Sequence, residues 1–236
     1  MVYKKAGAHI EIILAFIIFF SVIGFALYFF SPLKSSRIVD STLDYAFAEI
    51  IKNVSVDIDT YTVIINAGEG INAGEVAQLE IEGEEGNKNV RVTDDSGDVM
   101  LSKRSDDFVS FVWGGEKLVL IEFSEDFVDS DLSLDTPKSG SYYQIASSKT
   151  RRAISEKRVI KLNESYYTNY LGLKEDFNLP RRVDFAFLLI LNNGDEIEAS
   201  IQTPGEREVF SNSKRMEILR QADETSDFAE LTVRVW

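Results

Sequence analysis

One uninterrupted apolar run, Ile12 to Phe30 (IILAFIIFFSVIGFALYFF), constrains this chain more than any other feature. Its nineteen residues carry no charge. At about 1.5 Å of rise per residue they span roughly 28 Å as a helix, close to the hydrocarbon thickness of a bilayer. A soluble helix hydrophobic all round over such a length is rare. A cleaved secretory signal has a shorter core, and Phe29-Phe30-Ser31-Pro32 offers no small-x-small cleavage site. The run therefore predicts one transmembrane helix, with Ser31-Pro32 marking its exit or a kink.

The remaining residues, about 200, suffice for a domain with a real core. They are strongly acidic: the chain has 39 Asp and Glu against 25 Lys and Arg, a net charge of −14. Such a surface repels phosphate backbones, so nucleic acid is not an expected partner. The absence of cysteine excludes disulfides and thiolate metal sites. The single histidine, His9, stands beside the apolar run, so histidine-based catalysis in the polar domain is excluded too.

Flanking charge does not orient the helix, because Lys4 and Lys5 before it are matched by Lys34 and Arg37 after it. Two glycosylation sequons, Asn53-Val54-Ser55 and Asn163-Glu164-Ser165, permit an external domain without requiring one.

The residues preceding the run are more specific: Lys4-Lys5-Ala6-Gly7-Ala8-His9-Ile10-Glu11. This stretch resembles the class III signal of archaeal type IV pilin-like proteins. The same start is also similar to that of uncharacterised archaeal single-pass membrane proteins. The pilin resemblance implies that a prepilin peptidase cuts on the cytoplasmic side at Lys5, Ala6 and Gly7, while the hydrophobic helix stays on the protein. Gly7 would become the first mature residue and Glu11 the fifth, where the family carries its glutamate. Two departures stand out: Gly7 replaces the frequent glutamine, and Ala6 ends the leader where glycine is usual. A cut after Gly7 would make Glu11 the fourth residue. The resemblance also implies that Glu11 pairs with the N-terminal amine of a neighbouring subunit. An unpaired carboxylate at the rim of an apolar helix would otherwise cost roughly 2–3 kcal/mol on entering the bilayer. The simpler alternative leaves Glu11 and His9 hydrated among the headgroups.

Beyond the membrane run, Val39, Leu43, Phe47, Ile50 and Val54 recur at spacings of three and four, predicting an amphipathic helix over 37–54. Strand signals follow. Residues 57–66 alternate, and 76–82 and 89–93 flank the turn Gly83-Glu84-Glu85-Gly86-Asn87. Asp94-Asp95-Ser96-Gly97 turns into 99–101, and 108–113 and 117–123 flank Gly114-Gly115 as a hairpin. Residues 158–162 read as extended and 164–173 as a short helix. Val183 to Leu191, Asn192-Asn193-Gly194 and Glu196 to Gln202 form the clearest hairpin, with 209–219 and 231–236 as further strands.

No nucleophile elbow, phosphate loop or dinucleotide motif is present; Gly68-Glu69-Gly70 lacks the strand–turn–helix setting. The acidic groups Asp129-Ser130-Asp131-Leu132-Ser133 and Asp94, Asp95, Asp98 read as solvated turns rather than calcium loops, since the first lacks the EF-hand glycine and distal glutamate. Arg151-Arg152 and Arg181-Arg182 are basic islands that balance surface charge or meet acidic patches on a neighbour.

The expected fold is α+β: a transmembrane helix continuing into an amphipathic helix, then a mainly antiparallel β-rich ectodomain of one unit or two sub-domains. The divisions are 1–6 leader, 7–31 membrane helix, 32–54 amphipathic helix, 55–128 β-rich, 129–141 acidic junction and 142–236 second β-rich region. The expected function is a non-enzymatic pilin-like subunit without cofactor or metal, its N-terminus cytoplasmic and its ectodomain extracellular. Its partners are the lipid bilayer, a prepilin peptidase and further pilin-like subunits. The alternative is a single-pass anchored binding protein that never polymerises.

Overall fold

A computed structural model describes the backbone of residues 4–29, 33–66, 68, 70–128, 136–201 and 204–236, with side chains from residue 11 onward except 27, 29 and 33–40. The kink at Pro32, the side chains of Lys5, Ala6, Gly7, His9, Lys34, Arg37 and Val39, and the acidic group 129–133 lie outside the described residues.

Two helices open the chain, α1 (Lys4–Phe29) and α2 (Leu33–Val54). The apolar side chains of α1 face solvent all round: Ile12, Phe16, Phe19 and Val22 are each more than half exposed. Among the described residues no helix is long and apolar enough to cross a membrane; the unbroken stretch with described side chains runs only from 11 to 26. Helix α2 is amphipathic as its spacing predicts, with Leu43, Phe47, Ile50 and Val54 buried and Asp44 exposed. It passes without a loop into β1 (Ser55–Ile65).

The strands that follow are β2 (Val76–Glu80), β3 (Asn89–Asp94), β4 (Val99–Met100), β5 (Ser102–Ser105), β6 (Phe108–Val112), β7 (Leu118–Ser124), β8 (Lys138–Ser139) and β9 (Tyr143–Ser155). Helices α3 (Glu156–Thr168) and α4 (Tyr170–Asp176) precede β10 (Phe185–Leu191), β11 (Glu196–Ala199), β12 (Phe210–Leu219) and β13 (Ser226–Val235). Nine strands form one sheet in the order β11-β10-β13-β12-β9-β1-β7-β3-β4, and four form a second, β5-β6-β2-β8. Pairing is antiparallel except at β12–β9 and β2–β8. The fold is thus α+β with mainly antiparallel sheets.

The large sheet consists of two blocks. Their strands pair where Ile218 and Leu219 face Ile154 and Ser155. In one block, β10 to β13 carry α2, α3 and α4 over a core that includes Phe47, Ile50, Tyr166, Phe185 and Leu231. In the other, β9-β1-β7-β3-β4 stacks on the four-stranded sheet around Val63, Phe111, Trp113 and Ile121. Val56, Ile58, Phe127, Ala153 and Leu219 fill the weld. The regions on either side of 129–141 share one sheet, because β9 pairs with β1 along its whole length.

Three local expectations are corrected. Residues 158–162 are helical, not extended: Ser155 Oγ caps α3 by accepting from Arg158 N at 3.3 Å, and Val159, Leu162 and Tyr166 bury one face. Helical periodicity overrode a short apolar run that also fits a strand. Gly114-Gly115 is a crossing between sheets, not a hairpin, since β6 pairs with β2 and β5 while β7 pairs with β1 and β3. Trp113 holds the departure point: its N–H donates to Glu75 O, and its indole Nε1 donates to Glu116 O at 2.8 Å. Gly115, at φ +113°, takes a conformation that suits only glycine. Gly83–Asn87 likewise joins different sheets, with the Arg104 guanidinium donating to the carbonyls of Glu84, Glu85 and Lys88 across it. The Asn192-Asn193-Gly194 hairpin forms as expected, joining β10 to β11.

Candidate functional site

Glu11 is exposed in the second turn of the described part of α1, directly before the exposed apolar side chains. Lys5, Ala6 and Gly7 lie within the helical backbone of α1. Peptidases bind extended chain, so a cut there requires the first turn to unwind, which helix ends do readily.

The two sequon asparagines differ. Asn53 is exposed near the C-terminus of α2, but its partner Ser55 is buried at the start of β1. Asn163 lies mid-way along α3, half-buried, with its Oδ1 buried and without a hydrogen-bond partner among the described residues. Both sequons therefore offer regular, packed backbone in the folded chain.

Among the described residues the charged side chains converge in four networks. On the face of the large sheet opposite to Ile121 and Phe123, Glu122 on β7 stands directly across from Arg91 on β3, with Oε2 2.5 Å from Nη2. Its other oxygen accepts from Arg151 on β9 at 2.6 Å, and Arg151 also meets Glu217 of β12. Burial raises the Glu122 pKa, but the hydrogen bonds and charges of Arg91 and then Arg151 outweigh it and hold the carboxyl below its ordinary 4.5. Stability from a depressed carboxylate is complete above the unfolded value and lost as pH falls through the folded one. Part of the acid unfolding below about pH 4.5 should therefore trace to Glu122. Urea midpoints measured from neutral pH down to about pH 3 should fall less steeply for Glu122→Gln than for the parent chain; parallel curves would refute this.

The second network centres on Lys88, which donates to Asp59 at 2.6 Å and approaches Glu84 and Glu85. Burial lowers its pKa, but Asp59 and the neighbouring carboxylates more than reverse this, to about 12. In the third, Asp184 accepts from Lys174 and Arg207, each at 3.0 Å. Arg158 staples α3 to the α2–β1 junction through Ser55 O, Glu125 and Asp126.

Beside α2 lies a groove of about 890 Å³, lined among others by Asp44, Phe47, Lys88, Arg152, Arg158 and Lys214. Its cations are engaged: Lys52 with Glu49, Lys88 with Asp59, Arg152 with Asp57, Arg158 with Glu125 and Asp126, and Lys214 over the Phe47 ring at 5.0 Å. A charged ligand would have to displace these contacts. Asp94, Asp95 and Asp98 form the β3–β4 turn, where Asp94 Oδ1 accepts from Ser96 N and Asp98 N. Among the described residues no three His, Cys, Asp or Glu side chains are placed to hold a metal. Of the basic islands, Arg151 and Arg152 are ion-paired, whereas Arg181 and Arg182 are exposed and make no ion pair among the described residues.

The Arg91–Glu122–Arg151 centre has no sequence signal, since it depends on the register of three strands distant in sequence. No known protein family, curated protein or solved structure matches the chain.

Proposed function

We propose that the chain is a non-enzymatic, membrane-anchored pilin-like subunit, with α1 in the bilayer before assembly and the β-rich part outside the cell. The observation that carries this reading is the position of Glu11. It is the one acidic residue before an uncharged run of nineteen, four residues after Gly7. Two features support it further. The side chains of α1 are exposed on all faces, as a helix that packs against lipid or other helices requires. Helix α2 then lays its apolar stripe on β12 and β13, so the chain passes from α1 into a helix packed on the β-rich part.

Glu11 then has a dual requirement. It must stay at the membrane rim in the single subunit and find a cationic partner in the assembly. Glu11→Ala should leave the protein in the membrane fraction but abolish its co-purification with pilin-like subunits. Undiminished assemblies would remove the role of Glu11 and favour the anchored binding protein, whose ligand groove would be the one beside α2.

A further inference from the structure

We propose that the end of the helix-bearing block formed by α4 and the loops leading into β10 and β12 rests on the bilayer surface, with Leu171 and Val209 in the interface and Arg181 and Arg182 at lipid phosphates. The inference rests on the membrane-anchored reading of α1.

Its basis is the level of this end along α2. Helix α2 and strand β12 run in the same direction. Val54 continues into Ser55, which pairs with Ile154, and Ile154 pairs with Ile218 near the end of β12. Lower down, Lys214 lies over Phe47. Four strand residues further down, a descent of about 13 Å, comes Phe210. The same descent along a helix takes about nine residues, to roughly residue 38 of α2. The helix begins at Leu33, so Phe210 lies only about 8 Å above the level of its start.

The neighbouring strands end at the same level. Phe210 pairs with Val235, Val235 with Phe185, and Ala199 with Phe187. The loop at 177–184, residues 204–209 and the helix α4 therefore lie at this end, near the level at which α2 starts. Tyr170 of α4, stacked on Phe185 with ring centroids 5.6 Å apart, fixes α4 there.

The surface they present suits an interface. Leu171 is 73% exposed, the most of any described large apolar side chain, and Ile201 and Val209, at the same end of the sheet, are exposed too. A headgroup region accepts apolar side chains projected in this way. Arg181 and Arg182 are free of ion pairs among the described residues, while Asp184 beneath them is neutralised by Lys174 and Arg207. The acidic Glu175, Asp176, Glu206 and Glu208 share this end, so the contact is shallow and carried chiefly by the apolar side chains.

The absence of cysteine allows a clean test with single-cysteine variants of the full chain carrying an environment-sensitive fluorophore. Vesicles of phosphatidylcholine and phosphatidylglycerol would hold Leu171→Cys, Val128→Cys and Phe16→Cys. Val128 is 69% exposed and bound through its N–H to Glu224, in the turn at the opposite end of β12 about 30 Å away. The probe at 171 should emit at shorter wavelength and be quenched several-fold less by aqueous iodide than the probe at 128, and Val209→Cys should behave like 171. Equal quenching at 171 and 128 with a shielded probe at 16 would overturn the inference and leave the anchor standing. A freely quenched probe at 16 would overturn the anchor, and the inference with it.

Discussion

Glu122→Ala should destabilise the fold by about 3–5 kcal/mol, the loss expected when one member of a buried ion pair is removed and the other left behind. Glu122 and Arg91 are each only 6% exposed. Among the described residues Arg91 has no other carboxylate partner, and its Nη1 makes no hydrogen bond. The alanine chain would strand that guanidinium against the Phe127 ring, 5.0 Å away. Arg151 would fare better, because it is half-buried and keeps Glu217 and Ser226. Chemical denaturation of the detergent-solubilised chain measures the loss. Arg152→Ala, which breaks the exposed pair with Asp57, should leave the midpoint unchanged. Replacing Arg91 by Met together with Glu122 by Leu should recover most of the loss, since two apolar groups of similar volume avoid the stranded charge. A midpoint for Glu122→Ala equal to that of the parent would show that the network contributes no net stability.

Phe47→Ala should cost about 3–5 kcal/mol, by loss of a buried ring and by the cavity left between α2 and the sheet. Phe47 is 2% exposed and belongs to the core that joins α2 to β12 and β13. Its ring also receives the Lys214 ammonium, so truncation removes a second contact. The loss should be read most clearly in hydrogen exchange, with the amides of 41–54 opening before those of β10 and β13. Tyr45→Ala, two residues away on the exposed side, should stay within about 0.5 kcal/mol of the parent. If Phe47→Ala left the α2 amides as protected as before, the helix would be held by something other than its apolar stripe.

What could be read from the sequence was what depends on near neighbours. The α2 stripe was legible because one face of one helix is buried and the other is wet. The β10–β11 hairpin was legible because Asn192-Asn193-Gly194 both turns and pairs within a few residues. Gly114-Gly115 and Gly83–Asn87 carry the same turn chemistry, yet they carry the chain from one sheet to the other. That choice is made by partners remote in sequence, such as Glu75 for Trp113 and Val63 for Val119. The helix α3 was obscured by Val159 and Ile160, which suit a strand locally. Its buried face emerges only when Tyr166 is seen packed between Phe185 and Phe187. The weld of β9 to β12 through two residue pairs has no local signal at all. The same holds for the candidate site. The residues that carry the resemblance, Lys4 to Glu11, are contiguous in sequence, whereas Arg91, Glu122 and Arg151 meet only through strand register.

The central claim, that this is a processed and anchored pilin-like subunit, is tested most directly by the intact mass of the mature protein from membranes containing a matching prepilin peptidase. The mass should show loss of residues 1–6, with Gly7 as the new N-terminus and Glu11 as its fifth residue. A protein that keeps Met1 or Val2 in the presence of active peptidase would contradict it.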